Sequence, residues 1–464
     1  MDEKALRLRT GSMKRYFPAL FIALGMLMAI NQGVTLVLYV SEKGVPRGSD
    51  VFMPMDIPLY LLLLLKRSAP LPKKLGGSIY LARSLAFIFL LFTLVGEFIA
   101  VDKGDFRFAY VHLIRAVLLY YCVMTRLATR KECRSFAVGL MMGLGFQALI
   151  GFWQWQIGPV VLPFFQISNY WRAEGTIGTA NAFGAFIISL LPLAFRMSMF
   201  IHLKFKPAWW ALTVISAGAL LASFSRGSWV SFGIAMSLFA LVDFKKKVLT
   251  SKQTALFIAV ALIGIVALNV KYGDVISHRF SGAERSISGR EKHSRVNLAK
   301  DALRVISGRE MFGVGLNNYR HYSDEQIAGT RIVHNAYLLI TAEQGVFAAV
   351  LYLLLIGLAF LFGYQLLQVR DPFYYHLTAG SLTGLLALVM YNMGAPDYRL
   401  LPVLLQQWRA LALPIGLYVA FHNEMHLLRN KRLLAERIRT MKKDGQSGAT
   451  SGLANTARLR PGIQ

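Results

Sequence analysis

Charge is the first thing this sequence lacks. Only 16% of its 464 residues are Asp, Glu, Lys or Arg, against roughly 25% in soluble domains. A water-soluble chain of this length would split into domains and need far more polar surface. Cysteine is nearly absent too. Cys122 falls in an apolar block and Cys133 in a basic segment; without metal-ligand spacing, neither a structural disulfide nor redox chemistry is indicated. Acidic pairs of the D-x-D type are missing from the loops. Asp102 and Asp105 come nearest and read as solvated surface, so neither a metal nor any other cofactor is predicted. No repeat of solenoid period is present, and the basic, apolar N-terminus lacks a small-x-small cleavage site, which reads as an uncleaved first helix.

What is present is apolar. Hydrophobic residues make up 55% of the chain, in blocks of about 17–25, the length that spans a hydrocarbon core of roughly 30 Å. They fall near 17–40, 51–65, 84–101, 108–126, 136–158, 180–200, 207–224, 228–243, 254–270, 343–366, 374–394 and 402–421. The expected fold is an all-α integral membrane protein of about twelve transmembrane helices. The net charge of +27 is spread over short segments between blocks rather than gathered on one soluble face. That is the positive-inside pattern, not a nucleic-acid surface. Lys4 to Arg15, Lys66 to Lys74, Arg130 to Arg134, Lys204 to Lys206, Lys245 to Lys247 and the tail from Arg429 to Lys443 all fall on one side if there are twelve spans. Both termini are then cytoplasmic. The organisation expected is helices 1–9 over 1–270, an extracytoplasmic loop with short helices over 271–334 (one of them near Arg295–Arg304), helices 10–12 over 335–421, and a basic tail over 422–464. The end of that tail, about 440–464, is rich in Gly, Ser and Ala and reads as disordered.

On this topology several polar groups gather on the outer side. Arg172 lies in W-R-A-E-G-T-I-G-T-A-N, which ends at Asn181; Arg226 lies in S-F-S-R-G-S, and Arg290 in S-G-R. G-V-G-L-N-N follows at 313–318 with Asn318, then His334 in H-N-A-Y-L, and Asp397 in the last outer turn. Arg115 and Arg409 sit inside apolar blocks, where charge is expensive and tends to face a cavity or a partner. Plainer readings stand beside each. Arg115, Arg172 and Arg409 can snorkel to the interface, Arg226 can cap the preceding helix, and Asn335 can cap the helix after His334. The glycines at 313 and 315 can mark a turn, and Asp397 can pair with Arg399. Taken together, several arginines and one histidine without a dense carboxylate cluster suit a diphosphate. Arg forks bind phosphate oxygens bidentately, and a histidine among arginines is pushed towards its neutral, proton-accepting form.

These segments resemble the O-antigen ligase/polymerase family of bacterial membrane glycosyltransferases. The carriers are R-A-E-G-T-I-G-T-A-N at 172–181, S-F-S-R-G at 223–227, S-G-R at 288–290, G-V-G-x-N-N at 313–318 and H-N-A-Y-L-L-I-T-A-E-Q-G at 334–345. The last of these, following a long extracytoplasmic loop, is the most specific. The resemblance implies a GT-C-like architecture and an undecaprenyl-diphosphate-linked glycan as donor, transferred without metal or cofactor. It implies His334 as the acceptor-activating base and Arg226 and Arg290 as diphosphate binders. Arg172, Asn181, Arg115, Arg409, Asn318 and Asp397 are the remaining candidates for substrate binding. Thr-Ala-Asn stands where the family more often has Pro-Asn, and the match around Asp397 is poor. The acceptor expected is lipid A–core, which makes a ligase; a second lipid-linked repeat would make a polymerase. From another class, a transporter or lipid-linked glycan flippase would favour ionisable groups through the whole membrane depth.

Overall fold

The computed structural model describes residues 16–30, 34–40, 46–65, 76–158, 161–162, 165–166, 172–200, 205–246, 294–324 and 332–456. Among them the chain is almost wholly helical. In order come α1 (Phe17–Leu27), strands β1 (Val34–Val40) and β2 (Pro46–Phe52), α2 (Asp56–Leu64), α3 (Gly76–Leu94), the short α4 (Gly96–Ile99), α5 (Lys103–Arg126) and α6 (Arg130–Ile157). A two-residue hairpin, β3 (Val161–Leu162) with β4 (Phe165–Gln166), follows. Then come α7 (Ala180–Phe200), α8 (Lys206–Ala222), α9 (Arg226–Lys245), α10 (Arg295–Ile306), α11 (Ala336–Leu367), α12 (Pro372–Tyr391) and α13 (Leu401–Thr456).

Eight described helices are long and apolar enough to cross a membrane, from Gly77–Ile99 to Leu401–Glu436. The expected span at 254–270 lies outside the described residues. The block at 17–40 is not one helix: α1 stops at Leu27, and 34–40 is a strand paired antiparallel with 46–52. V-T-L-V-L-Y-V is β-branched and aromatic, a composition that favours a strand once a partner is in reach. Several blocks begin earlier than hydrophobicity alone indicates, two of them by seven or eight residues. One starts at Gly76; the other starts at Ala336 because the Asn335 side chain accepts the amides of Tyr337 and Leu338 at 2.9 and 3.1 Å, an N-cap that hydropathy does not register. At the other extreme α13 runs on to Thr456, into the stretch whose composition reads as disordered. The helix expected at 295–304 is present, capped by Ser294.

The helices pack closely. A Cβ on Gly139 of α6 would lie 2.2 Å from the Ile22 carbonyl oxygen of α1, so only a hydrogen fits, as at small-residue crossings in membranes. Charges inside the bundle are mostly paired across helices. Arg115 of α5 forks onto Asp56 of α2 at 2.9 and 3.1 Å. Arg196 of α7 meets Asp243 of α9, which also accepts from Tyr375 of α12 at 2.6 Å. Glu343 of α11 meets Arg399 at 3.0 Å. The ends of α6 and α11 and the starts of α7, α9, α12 and α13 then define two ends of the bundle. The end that carries 172–179, 294–324 and the start of α11 is called the loop end below.

Candidate active site

The site is assembled by backbone anchoring at the loop end. The segment 172–179 has almost no structure of its own and is held by its neighbours. Gln154 of α6 accepts the amides of Glu174 and Gly175 at 2.9 and 3.1 Å. One turn pair earlier on the same helix, Gln147 accepts from Thr176 at 3.0 Å and donates to the Ala29 carbonyl beyond α1. The other side of the segment caps α8: Ala173 N donates to Ala222 O at 2.9 Å, and Arg172 Nε donates to Ser223 O at 2.8 Å. Ala173 and Arg172 therefore satisfy the Ala222 and Ser223 carbonyls at the end of α8. Its second arm donates to Asn181 Oδ1 at 2.9 Å, so the R-A-E-G and S-F-S-R-G motifs form one unit. Between them Phe224 takes φ +48°, a costly conformation for a non-glycine residue. It lets α8 turn sharply into α9 and puts Arg226 in that helix's first position.

The segment 310–318 docks on α11 in the same way. Gly345 breaks α11 with φ +86°, which frees carbonyls that a regular helix would use itself. Val314 N and Gly315 N bond Ala342 O and Glu343 O at 2.9 Å, and Val346 N bonds Glu310 O at 2.8 Å. A Cβ at Gly345 would lie 2.1 Å from Met311 O. The G-V-G and A-E-Q-G motifs are thus two halves of one backbone joint. Asn318 extends it: its side chain accepts from Asp102 N at 2.8 Å and donates to Asp102 O at 3.0 Å, clamping the start of α5. On the other flank, buried Asp301 of α10 accepts from Tyr319 Oη at 3.0 Å, Arg304 at 2.7 Å and Asp324 N at 3.2 Å.

These joints bring a compact set of groups together. Tyr391, at the end of α12, has one hydroxyl proton, and both the Asp397 carboxylate and Asn181 O (3.1 Å) lie within its reach. Arg172 and Arg295 are close enough to act electrostatically on Tyr391, as His334 is on Asp397. Arg295 NH1 would lie 3.4 Å from a Cβ on Gly394, and Gly227, beside Arg226, packs on the Tyr391 ring. Burial raises the Asp397 carboxyl above its ordinary value, against the opposing pull of the Tyr391 hydroxyl and His334. His334 Nδ1 lies 2.9 Å from Ile332 O. A carbonyl can only accept, so Nδ1 carries the hydrogen, and loss of a proton from the ring leaves the lone pair on Nε2. This arrangement offers a base in a defined tautomer, a buried carboxyl and several guanidinium groups.

Residues 211–353 match the family model described as O-antigen ligase. Over that stretch the chain is similar to O-antigen ligases. That match supports membership of the O-antigen ligase/polymerase family, a family of glycosyltransferase-like enzymes, and together with the apolar helices it marks a multi-pass membrane protein. No curated protein matches the chain. The matched stretch runs from within α8 to within α11 and takes in Arg226, His334 and the kink at Gly345; Arg172, Asn181, Tyr391 and Asp397 reach the cluster from segments flanking it.

Other candidates lie elsewhere. Arg290 is outside the described residues. Arg115 is held in the buried pair with Asp56, and Asn318 in the clamp on Asp102. Arg409 is fully buried in α13 and donates to Ser189 O at 3.1 Å; among the described residues its Nε and NH1 reach no acceptor. Asp102 and Asp105, read as solvated surface, come together with His321, their ligand atoms within 4.8 Å of one another; Asp105 is buried and also lies next to the Asp102 cap. Sequence reasoning missed Tyr391 and Arg295 in the cluster, and Gln147 and Gln154 beneath it. The two glutamines did leave a signal, since they sit seven residues apart on one face of an otherwise apolar block.

Proposed function

We propose that the cluster transfers a glycan from an undecaprenyl-diphosphate carrier to an acceptor hydroxyl on the extracytoplasmic face of the bacterial inner membrane, in a GT-C-like bundle with both termini cytoplasmic. The observation that carries this reading is His334, its Nδ1 tied to Ile332 O and close enough to act electrostatically on Asp397, whose partner Tyr391 feels Arg172 and Arg295. In this scheme the donor's lipid enters between helices, and its diphosphate is met by Arg226 and Arg290, with Arg172 and Arg295 adding positive potential. His334 Nε2 takes the acceptor hydroxyl's proton as that oxygen attacks the anomeric carbon and the lipid diphosphate leaves. Base assistance of this kind contributes about 10²–10⁴ in rate, and stabilising charge on the leaving diphosphate is usually the larger contribution. No step calls for a metal. Asp397, close enough to act electrostatically on the imidazole, supplies charge complementary to the imidazolium that forms.

The acceptor proposed is lipid A–core, which makes the protein a ligase. The test uses purified protein in nanodiscs with a fluorescent lipid-diphosphate-linked glycan, with lipid A–core present or absent. Transfer that requires lipid A–core is the expected result. A ladder built from donor alone would make the enzyme a polymerase, and uptake by sealed vesicles with no transfer would make it a transporter.

A further inference from the structure

A partly open cavity lies between α3, α5, α11 and α13. It backs onto the cluster without being part of it. The two share the turn 397–399: Asp397 meets Tyr391 on one side, while Tyr398 and Arg399 line the cavity on the other. They also share a hydrogen-bonded wall. Tyr352 Oη donates to Gln407 Oε1 at 3.1 Å, Gln407 Nε2 donates to Asn392 Oδ1 at 3.0 Å, and Asn392 O accepts Ala336 N at 2.8 Å, two residues from His334.

The lining specifies the chemistry of an occupant. Phe89, Phe108, Tyr352, Tyr398 and Trp408 supply aromatic faces, and Asn317, Gln344 and Gln407 supply amides. Asn317 Oδ1 accepts from Arg399, and Gln344 Oε1 accepts from Thr93 at 2.8 Å. An amide nitrogen has two hydrogens, so Asn317 keeps donors for a ligand, while Gln344 is also hydrogen-bonded to Tyr398. The lining cation Arg399 is paired with Glu343 at 3.0 Å, and Nδ1 of the lining His112 lies 3.2 Å from Arg115 NH1, so neither is set aside for phosphate. A lipid tail would desolvate amide donors without pairing them, which costs free energy. Aromatic faces with amide donors and no net charge suit a neutral, hydroxyl-bearing ring.

We propose that this cavity seats uncharged sugar residues of the acceptor glycan and presents the next hydroxyl towards His334. The proposal rests on the glycan-transfer reading, but binding to the cavity is measurable without turnover. The probe is a set of neutral oligosaccharides released by mild acid from the source cell's surface glycans, with saturation-transfer NMR on full-length protein in nanodiscs. Ala109 lines the cavity on α5, so Ala109→Trp fills it. Asn317 has φ +63°, which glycine adopts freely, so Asn317→Gly removes the amide without strain. Wild type should bind; Ala109→Trp should weaken binding at least about tenfold, and Asn317→Gly about three- to tenfold. His334→Ala and Arg226→Ala should bind as wild type does, so loss of transfer in those variants bears on the cluster alone. Wild-type binding in both cavity variants, or no binding to wild type, would overturn the proposal. Farnesol binding that Ala109→Trp abolishes, without an oligosaccharide signal, would overturn it in favour of a lipid tail. Should Ala109→Trp fail to fold, unchanged binding by Asn317→Gly overturns it by itself.

Discussion

His334 and Asp397 define the behaviour of the site at the scale of single residues. Because burial raises Asp397, it ionises less readily folded than unfolded; its stabilising contribution is full below the ordinary value of 3.8 and is lost as pH rises through the higher folded value. Thermal unfolding of Asp397→Asn should therefore fall furthest below wild type at acidic pH, with the gap narrowing towards neutrality. A gap independent of pH would contradict that environment. His334, Arg172, Arg226, Asn181 and Asp397 could all be picked out from the sequence because charge and polarity stand out in apolar surroundings. Tyr391 could not, since an aromatic residue at the end of an apolar block looks like any interfacial anchor. Its role depends on two acceptors far apart in the chain, Asn181 O and Asp397.

At the scale of elements, the short motifs turn out to be joints between segments. G-V-G and A-E-Q-G read separately as turns and helix; the structure pairs them across the break at Gly345. Gly345→Ala combines a positive φ with a Cβ 2.1 Å from Met311 O, so it should destabilise the protein by more than about 1 kcal/mol and release 310–318 to proteolysis. Asp301 makes a second case. Tyr319→Phe removes one hydrogen bond to a buried carboxylate, worth about 1.5–3 kcal/mol, and hydrogen exchange should quicken over 294–324 while the spans stay protected. Exchange unchanged there would mean that this bond does not hold the loop. Long helices could be read from hydrophobicity, whereas their ends needed other signals. Asn335 starts α11 by a cap, and a strand replaces the second half of the block at 17–40 because its residues are β-branched.

The whole molecule is a bundle whose internal charges are largely matched between helices distant in sequence. Arg115 was legible as an intramembrane cation, but its partner Asp56 lies 59 residues away and is invisible to local pattern. Asp56→Asn strands a buried guanidinium and should cost about 3–5 kcal/mol, whereas replacing both residues by leucine should recover much of that loss. Unfolding midpoints in one detergent decide it, and a double variant no more stable than Asp56→Asn would mean that the pair also does something leucine cannot replace.

The central claim is that glycan transfer takes place at the loop end with His334 as base, and single-turnover transfer by His334→Ala in nanodiscs, with donor binding measured on the same sample, tests it most directly. The account predicts a rate lower by about 10²–10⁴ with donor affinity unchanged. Transfer at the wild-type rate would contradict it.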